Sequence, residues 1–217
     1  KKHSFKSTIN MPPHGPGFSG ALHSHDPEFP EDDWNLYSMV DREGIKALNV
    51  TLPDEAISVF RPFVRRLDES PAPLESNCDE EMILVIPFTS PCHIRKLMII
   101  GGGDNEQHPL TVKAYVNKTN LDFDSIGDVT PSQTFNNLSV NSSGTTEITI
   151  PNVRTFTNVN VLTLYITANH GPETTMLRYV GMQGEHTHYR REAVDAEYEV
   201  LCNGQDIEQP DHLKAKD

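Results

Sequence analysis

Leu110, Val112, Ala114 and Val116 alternate with Thr111, Lys113 and Tyr115 along the chain. The same period of two runs through Leu162, Leu164, Ile166 and Ala168, and again through Ala196, Tyr198, Val200 and Cys202. That spacing turns one side of a strand toward a core and the other toward water. Met82–Phe88, Ile94–Ile100, Thr146–Ile150 and Thr175–Met182 add strand candidates with less regular alternation. Ser90-Pro91, Gly101-Gly102-Gly103-Asp104, Asn141-Ser142-Ser143-Gly144 and Asn169-His170-Gly171-Pro172 punctuate them. No stretch carries the i, i+3, i+4, i+7 stripe of an amphipathic helix. The best helix start is Asp41, followed by Ile45 and Leu48, and Gly44 weakens it. Seven to nine short strands are expected, in an all-β antiparallel sandwich or barrel with little helix.

The apolar pattern also sets the domain limits. Residues 1–33 are rich in Pro and Gly around Met11–Gly20 and acidic through Pro27–Asp33, with little to bury. Such a segment cannot offset its ordering entropy and is expected to be mobile unless a partner holds it. Met11 is a candidate start, with residues 1–10 then an addition ahead of it. Residues 205–217 read as a second tail, and residues 34–204, which no Pro/Gly-rich linker interrupts, read as one domain.

Charge narrows the class of partner. The chain has 18 Lys and Arg against 31 Asp and Glu, a net charge of −13, and three of the basic residues are Lys1, Lys2 and Lys6. A surface that acidic repels phosphate backbones and anionic lipid, so neither nucleic acid nor membrane is an expected partner; a basic protein surface is. The longest apolar run, Met82–Ile86, is far shorter than the roughly 18 residues needed to span a bilayer. No secretory signal is visible, so Cys78, Cys92 and Cys202 are expected as thiols. The four N-x-S/T triplets at Asn49, Asn117, Asn137 and Asn141 are expected to be unmodified.

Candidate chemistry is sparse. Gly101–Asp104 follows a strand but precedes Asn105-Glu106-Gln107-His108-Pro109, with none of the helix, Lys and Ser/Thr of a phosphate loop, so it reads as a turn. His186 and His188, two apart on a strand, would point both rings to one face, as chelation requires. No third ligand stands at a metal spacing beside them, so no metal or other cofactor is expected. There is no GxSxG, and the carboxylates around Cys78 disfavour a thiolate nucleophile. The acidic run Asp79-Glu80-Glu81 and the pair Arg190-Arg191 are the candidate partner contacts. Their bland alternatives are a solvated approach to the strand at Met82 and cross-strand salt bridges. Arg65-Arg66 is a comparably basic spot.

Several segments, in order, resemble the PITH domain, the proteasome-interacting module found at the C-terminus of thioredoxin-like proteins and also standing alone. They are Leu48–Val50, Val59–Phe63, Ser76–Phe88, Ile94–Asp104, His108–Ile126, Pro131–Phe135, Val153–Gly171 and Thr174–Glu185. The continuation His186–Asn203 and the lack of a thioredoxin segment ahead of the domain are similar to the stand-alone form. His186 departs from the aromatic residue expected after Gly184-Glu185. The resemblance implies a jelly-roll β-sandwich of galactose-binding-like type, no enzymatic activity, a place in cytoplasm and nucleus, and the proteasome regulatory particle or its associated proteins as partner; a monomer is expected. The alternative is a carbohydrate- or small-ligand-binding sandwich. Sugar sites stack an aromatic on the ring, and the one tryptophan, Trp34, lies at the edge of the domain beside Asp32-Asp33.

Overall fold

The computed structural model describes residues 34–171 and 173–187. Their backbone forms eight strands: β1 (Lys46–Leu48), β2 (Leu74–Glu75), β3 (Met82–Gly101), β4 (Pro109–Val116), β5 (Gln133–Phe135), β6 (Ile148–Thr149), β7 (Val159–Asn169) and β8 (Met176–His186). Every strand pairing is antiparallel. The helical turns are 3₁₀ pieces, the longest Pro53–Val59. The expected strand Ala196–Cys202 lies outside the described residues, as do His188, Arg190 and Arg191.

β3 joins two stretches that the sequence pattern divides at Ser90-Pro91. Proline inside a strand removes a ladder donor and is tolerated at bulges and edges. The β3–β7 register breaks between Pro87 and Cys92, and there the strand changes partners. Its first half pairs with β7 and β1, its second half with β8 and β6. Two layers result, β1-β3-β7-β4-β5 and β2-β8-β3-β6, which share this one strand. The connections β5 to β6, β6 to β7 and β7 to β8 each pass from one layer to the other, the wrapping of a jelly roll. The fold is the antiparallel jelly-roll sandwich with little helix that the apolar pattern and the resemblance lead one to expect.

Between the layers Leu84, Ile86, Leu97, Ile99, Val112, Leu164, Ile166, Val180 and Met182 form one continuous core. The outer faces are covered too, which explains why Met82–Ile86 is apolar without a break. On the first layer Ile83 and Val85 pack with Tyr115, Tyr165, Leu121 and Ile126. On the second, Met98 and Ile100 pack with Tyr179 and Trp34. Each such side chain contributes roughly 1.5–3 kcal/mol on full burial.

Two local expectations resolve differently. Residues after Asp41 form a turn and then β1, not a helix. Backbone of Asp41 hydrogen-bonds to Pro87 of β3, so this segment gains more by lining the sheet than by local helical bonding. The Gly101–Asp104 stretch is a turn, as expected, and a tight one. A β-carbon on Gly101 would fall 2.4 Å from the His108 ring, and Gly103 has φ +60°.

Candidate interaction surface

The loop Ser76–Glu81 leads directly into β3 and carries the expected contact residues Asp79, Glu80 and Glu81. It is anchored from both layers. The Ser76 amide donates to the Thr175 carbonyl at 2.9 Å, the Thr175 amide donates to Ser76 Oγ at 2.8 Å, and the Thr175 hydroxyl donates to the Glu80 carbonyl at 2.7 Å. Asn49, at the end of β1, supplies the rest. Its Nδ2 donates to Asp79 Oδ1 and to the Glu81 carbonyl, both at 2.7 Å, and its Oδ1 accepts from the Cys78 amide at 3.3 Å. Its φ of +56° is the left-handed backbone that asparagine tolerates better than most residues. The backbone carbonyl of Asn49 also accepts from the Asn77 amide at 3.0 Å.

Glu81 is turned toward the first layer, where its carboxylate accepts from the Tyr165 hydroxyl at 2.8 Å. Burial, then that hydrogen bond and the Glu81 charge, hold the Tyr165 phenol above its ordinary value, so the ring stays neutral and the hydroxyl remains a donor. The exposed Phe123 meets Tyr165 edge-on at 6.0 Å, and Lys113 lies 5.7 Å over the same ring. Among the described residues no Lys or Arg stands in ion-pair range of Asp79, Glu80 or Glu81. The ion pairs there join Arg95 to Glu185 and Lys96 to Glu147, both at 2.6 Å. The surface therefore holds the Asp79 and Glu81 carboxylates in place, with Glu80 between them, and no countercharge among their described neighbours.

The other sequence candidates do not gather at this loop. His186 ends β8 opposite Cys92, midway along β3 and away from the acidic run at that strand's start. Among the described residues no group of three or more His, Cys, Asp and Glu is placed to hold a metal. Cys78 is exposed and Cys92 is buried, its thiol pushed up to about 12 by that burial. Asn117 and Asn141 spend their side chains within the fold, on Asn158 and on Ile99 and Thr146. Trp34 is buried against Phe63, so its indole is no open platform for a sugar ring. Nothing in the sequence marks Asn49, Ser76, Thr175 and Tyr165 as anchors of this loop. Their only local signal is an asparagine directly after an alternating Lys-Ala-Leu strand.

A family model described as "PITH domain" matches residues 26–201. PITH domain-containing protein 1 of Homo sapiens is 34% identical over 175 residues, covering 80% of each chain. The Danio rerio protein of that name is 31% identical over 184 residues, covering 84% of this chain and 85% of its own. Among solved structures, the lectin domain of lectinolysin complexed with Lewis B antigen aligns at TM-score 0.46 and 9% identity, over 65% of this chain and 92% of that one. An F5/8 type C domain from Bacteroides fragilis aligns at TM-score 0.47 and 10% identity, over 69% and 97%.

Proposed function

The chain belongs to the PITH-domain family, and from that membership we propose that it is a non-enzymatic interaction module that docks on the proteasome regulatory particle or proteins associated with it. The observation that carries the reading is the Ser76–Glu81 loop, whose anchored backbone presents Asp79, Glu80 and Glu81 without counter-ions among the described residues. A loop held in place loses little entropy when a basic patch meets it. Carboxylates near an interface rim raise the rate of encounter and fix register more than they add affinity. The net charge of −13 extends the same field over the whole surface. The module acts as a monomer in cytoplasm and nucleus, where the regulatory particle would be met.

Affinity capture of the tagged full chain from cell lysate tests this. Proteasome subunits should be recovered at about 50 mM salt and largely lost at about 0.5 M, as the Debye length shrinks toward the dimensions of one ion pair. E80K should lower recovery at low salt, because the Glu80 side chain is not among the loop's anchors. Recovery of no proteasome subunit at low salt would overturn the proposal. A glycan array run on the same protein separates the sugar-binding alternative, for which hits would be required.

A further inference from the structure

The pair Arg65-Arg66, a basic spot in an acidic chain, follows Phe63 on the outer face of the second layer. The amides of Arg65, Arg66 and Asp68 each bond to the carbonyl three residues back, so the stretch runs as tight turns. At that spacing Val64 and Leu67 lie one above the other, and they are 49% and 43% exposed. Trp34, 2% exposed, stacks on Phe63 with 5.7 Å between ring centroids. Phe63 in turn carries the Arg66 guanidinium, 4.0 Å over its ring. Arg66 donates to the carbonyls of Gly144 and Phe63 at 3.1 and 3.2 Å. A guanidinium has about five N–H groups, and the rest of these have no acceptor among the described residues. Arg65 is exposed, and among the described residues its side chain makes no hydrogen bond or ion pair.

The surplus of donors continues behind this ledge. Arg61 is 8% exposed and donates to the backbone carbonyls of Arg178 and Asp68, yet its buried Nε has no partner. The fully buried Tyr179 hydroxyl has none either. Burial holds that phenol above its ordinary value against the charges of Arg66 and Arg61, so it stays a donor. Asp68 and Glu69 follow in sequence, but neither carboxylate lies in ion-pair range of Arg61, Arg65 or Arg66. What the ledge lacks is an acceptor, and a carboxylate matches the guanidinium fork in charge and shape. Arg66, already held by the ring and the carbonyls, loses little freedom on meeting one. The net charge of −13 disfavours a long polyanion there, whereas screening beyond about 8 Å admits a short segment with a carboxylate or two. We infer that Val64–Leu67 docks a short acidic peptide segment of a partner protein, its carboxylate on Arg65 and Arg66 and an aliphatic side chain against Val64 and Leu67. This docking is independent of the acidic loop and of the proteasome.

Titration of the full chain with a capped peptide of core Leu-Glu-Glu-Leu, followed by amide NMR, tests this. The Val64–Leu67 amides and the Trp34 indole N–H should shift and saturate at millimolar peptide and low salt. R65E should weaken binding about fivefold, the scale of an exposed ion pair, and a Leu-Gln-Gln-Leu core should weaken it at least as much. L67S should weaken it about threefold through lost apolar contact. Because Leu67 is exposed the domain should stay folded, which unchanged amide signals elsewhere would show. Phenylglyoxal followed by peptide mapping should find Arg65 reactive in the free chain and shielded once the peptide is bound. No shift at these amides with about 5 mM peptide, equal affinity for the Gln core, or affinity indifferent to both R65E and L67S would overturn the inference. Arg65 unreactive in the free chain would mean that the chain covers the ledge itself. Shifts on dilution of the free chain would assign the ledge to a second copy, and tighter binding of a short single-stranded oligonucleotide would assign it to nucleic acid. Each of these outcomes also overturns it.

Discussion

Replacing Asn49 by alanine removes three side-chain hydrogen bonds and leaves a residue with no polar side chain in left-handed backbone. Asn49 donates at 2.7 Å to Asp79 Oδ1 and at 2.7 Å to the Glu81 carbonyl, and accepts from the Cys78 amide at 3.3 Å. A hydrogen bond contributes about 1 kcal/mol net, but Asp79 and Cys78 are exposed and water takes over part of what they lose. The side-chain loss is therefore about 2 kcal/mol. At φ +56° an alanine adds about 1 kcal/mol of backbone strain, which glycine escapes. N49A should cost about 3 kcal/mol and N49G about 2 kcal/mol. With a urea m-value of about 2 kcal/mol/M, the unfolding midpoint should fall by about 1.5 M for N49A and about 1 M for N49G, with m unchanged. The amides of residues 77–81 should lose exchange protection first, since they are the ones released. An N49A midpoint within about 0.2 M of the parent, or N49G no more stable than N49A, would refute the reasoning.

Acid sensitivity should trace to His108, which is 3% exposed and accepts from the Asn141 amide through Nδ1. Burial first, then the charges of His170 and Arg178, hold its pKa below the ordinary value, so the folded chain prefers the neutral ring. The unfolded chain then binds the proton more readily. The stabilisation is whole above the unfolded value of about 6.5 and is lost as pH falls through the folded one. Urea midpoints should drop between pH 7.5 and pH 5, and a drop of equal size in H108Q would contradict the assignment. Thiol labelling should separate the two described cysteines: maleimide should modify exposed Cys78 at once and spare buried Cys92 until urea is added. Peptide mapping reads the result, and equal rates at both sites in the native protein would count against the packing described.

The long alternating strands β4 and β7 were legible because their own side chains repeat the period that the sheet needs. β3 was legible only in halves. Ser90-Pro91 is a breaker by local rules, yet the bulge between Pro87 and Cys92 lets the strand continue while it changes partners. β6 falls within the expected strand Thr146–Ile150, whereas β1, β2 and β5 span two or three residues each, too few for any period to register. Their formation depends on distant partners, from 19 positions away for Gln133 on Ala114 to 103 for Leu74 on Leu177. The acidic run was visible as composition, but its rigidity was not. That depends on Asn49, Thr175 and Tyr165, which meet it only after folding. Trp34 read as an edge residue because its neighbours are acidic, whereas Phe63 and Tyr179 enclose it.

A single strand common to both layers changes how the domain bears load. Two sheets joined only by loops can be levered apart along their shared core, and one can open while the other persists. Here any wedge between the layers meets the covalent backbone of β3, with β7 zipped to one half and β8 to the other. The domain consequently behaves as one stiff body. A tug on the Ser76–Glu81 loop, which continues straight into that strand, is delivered to both layers at once.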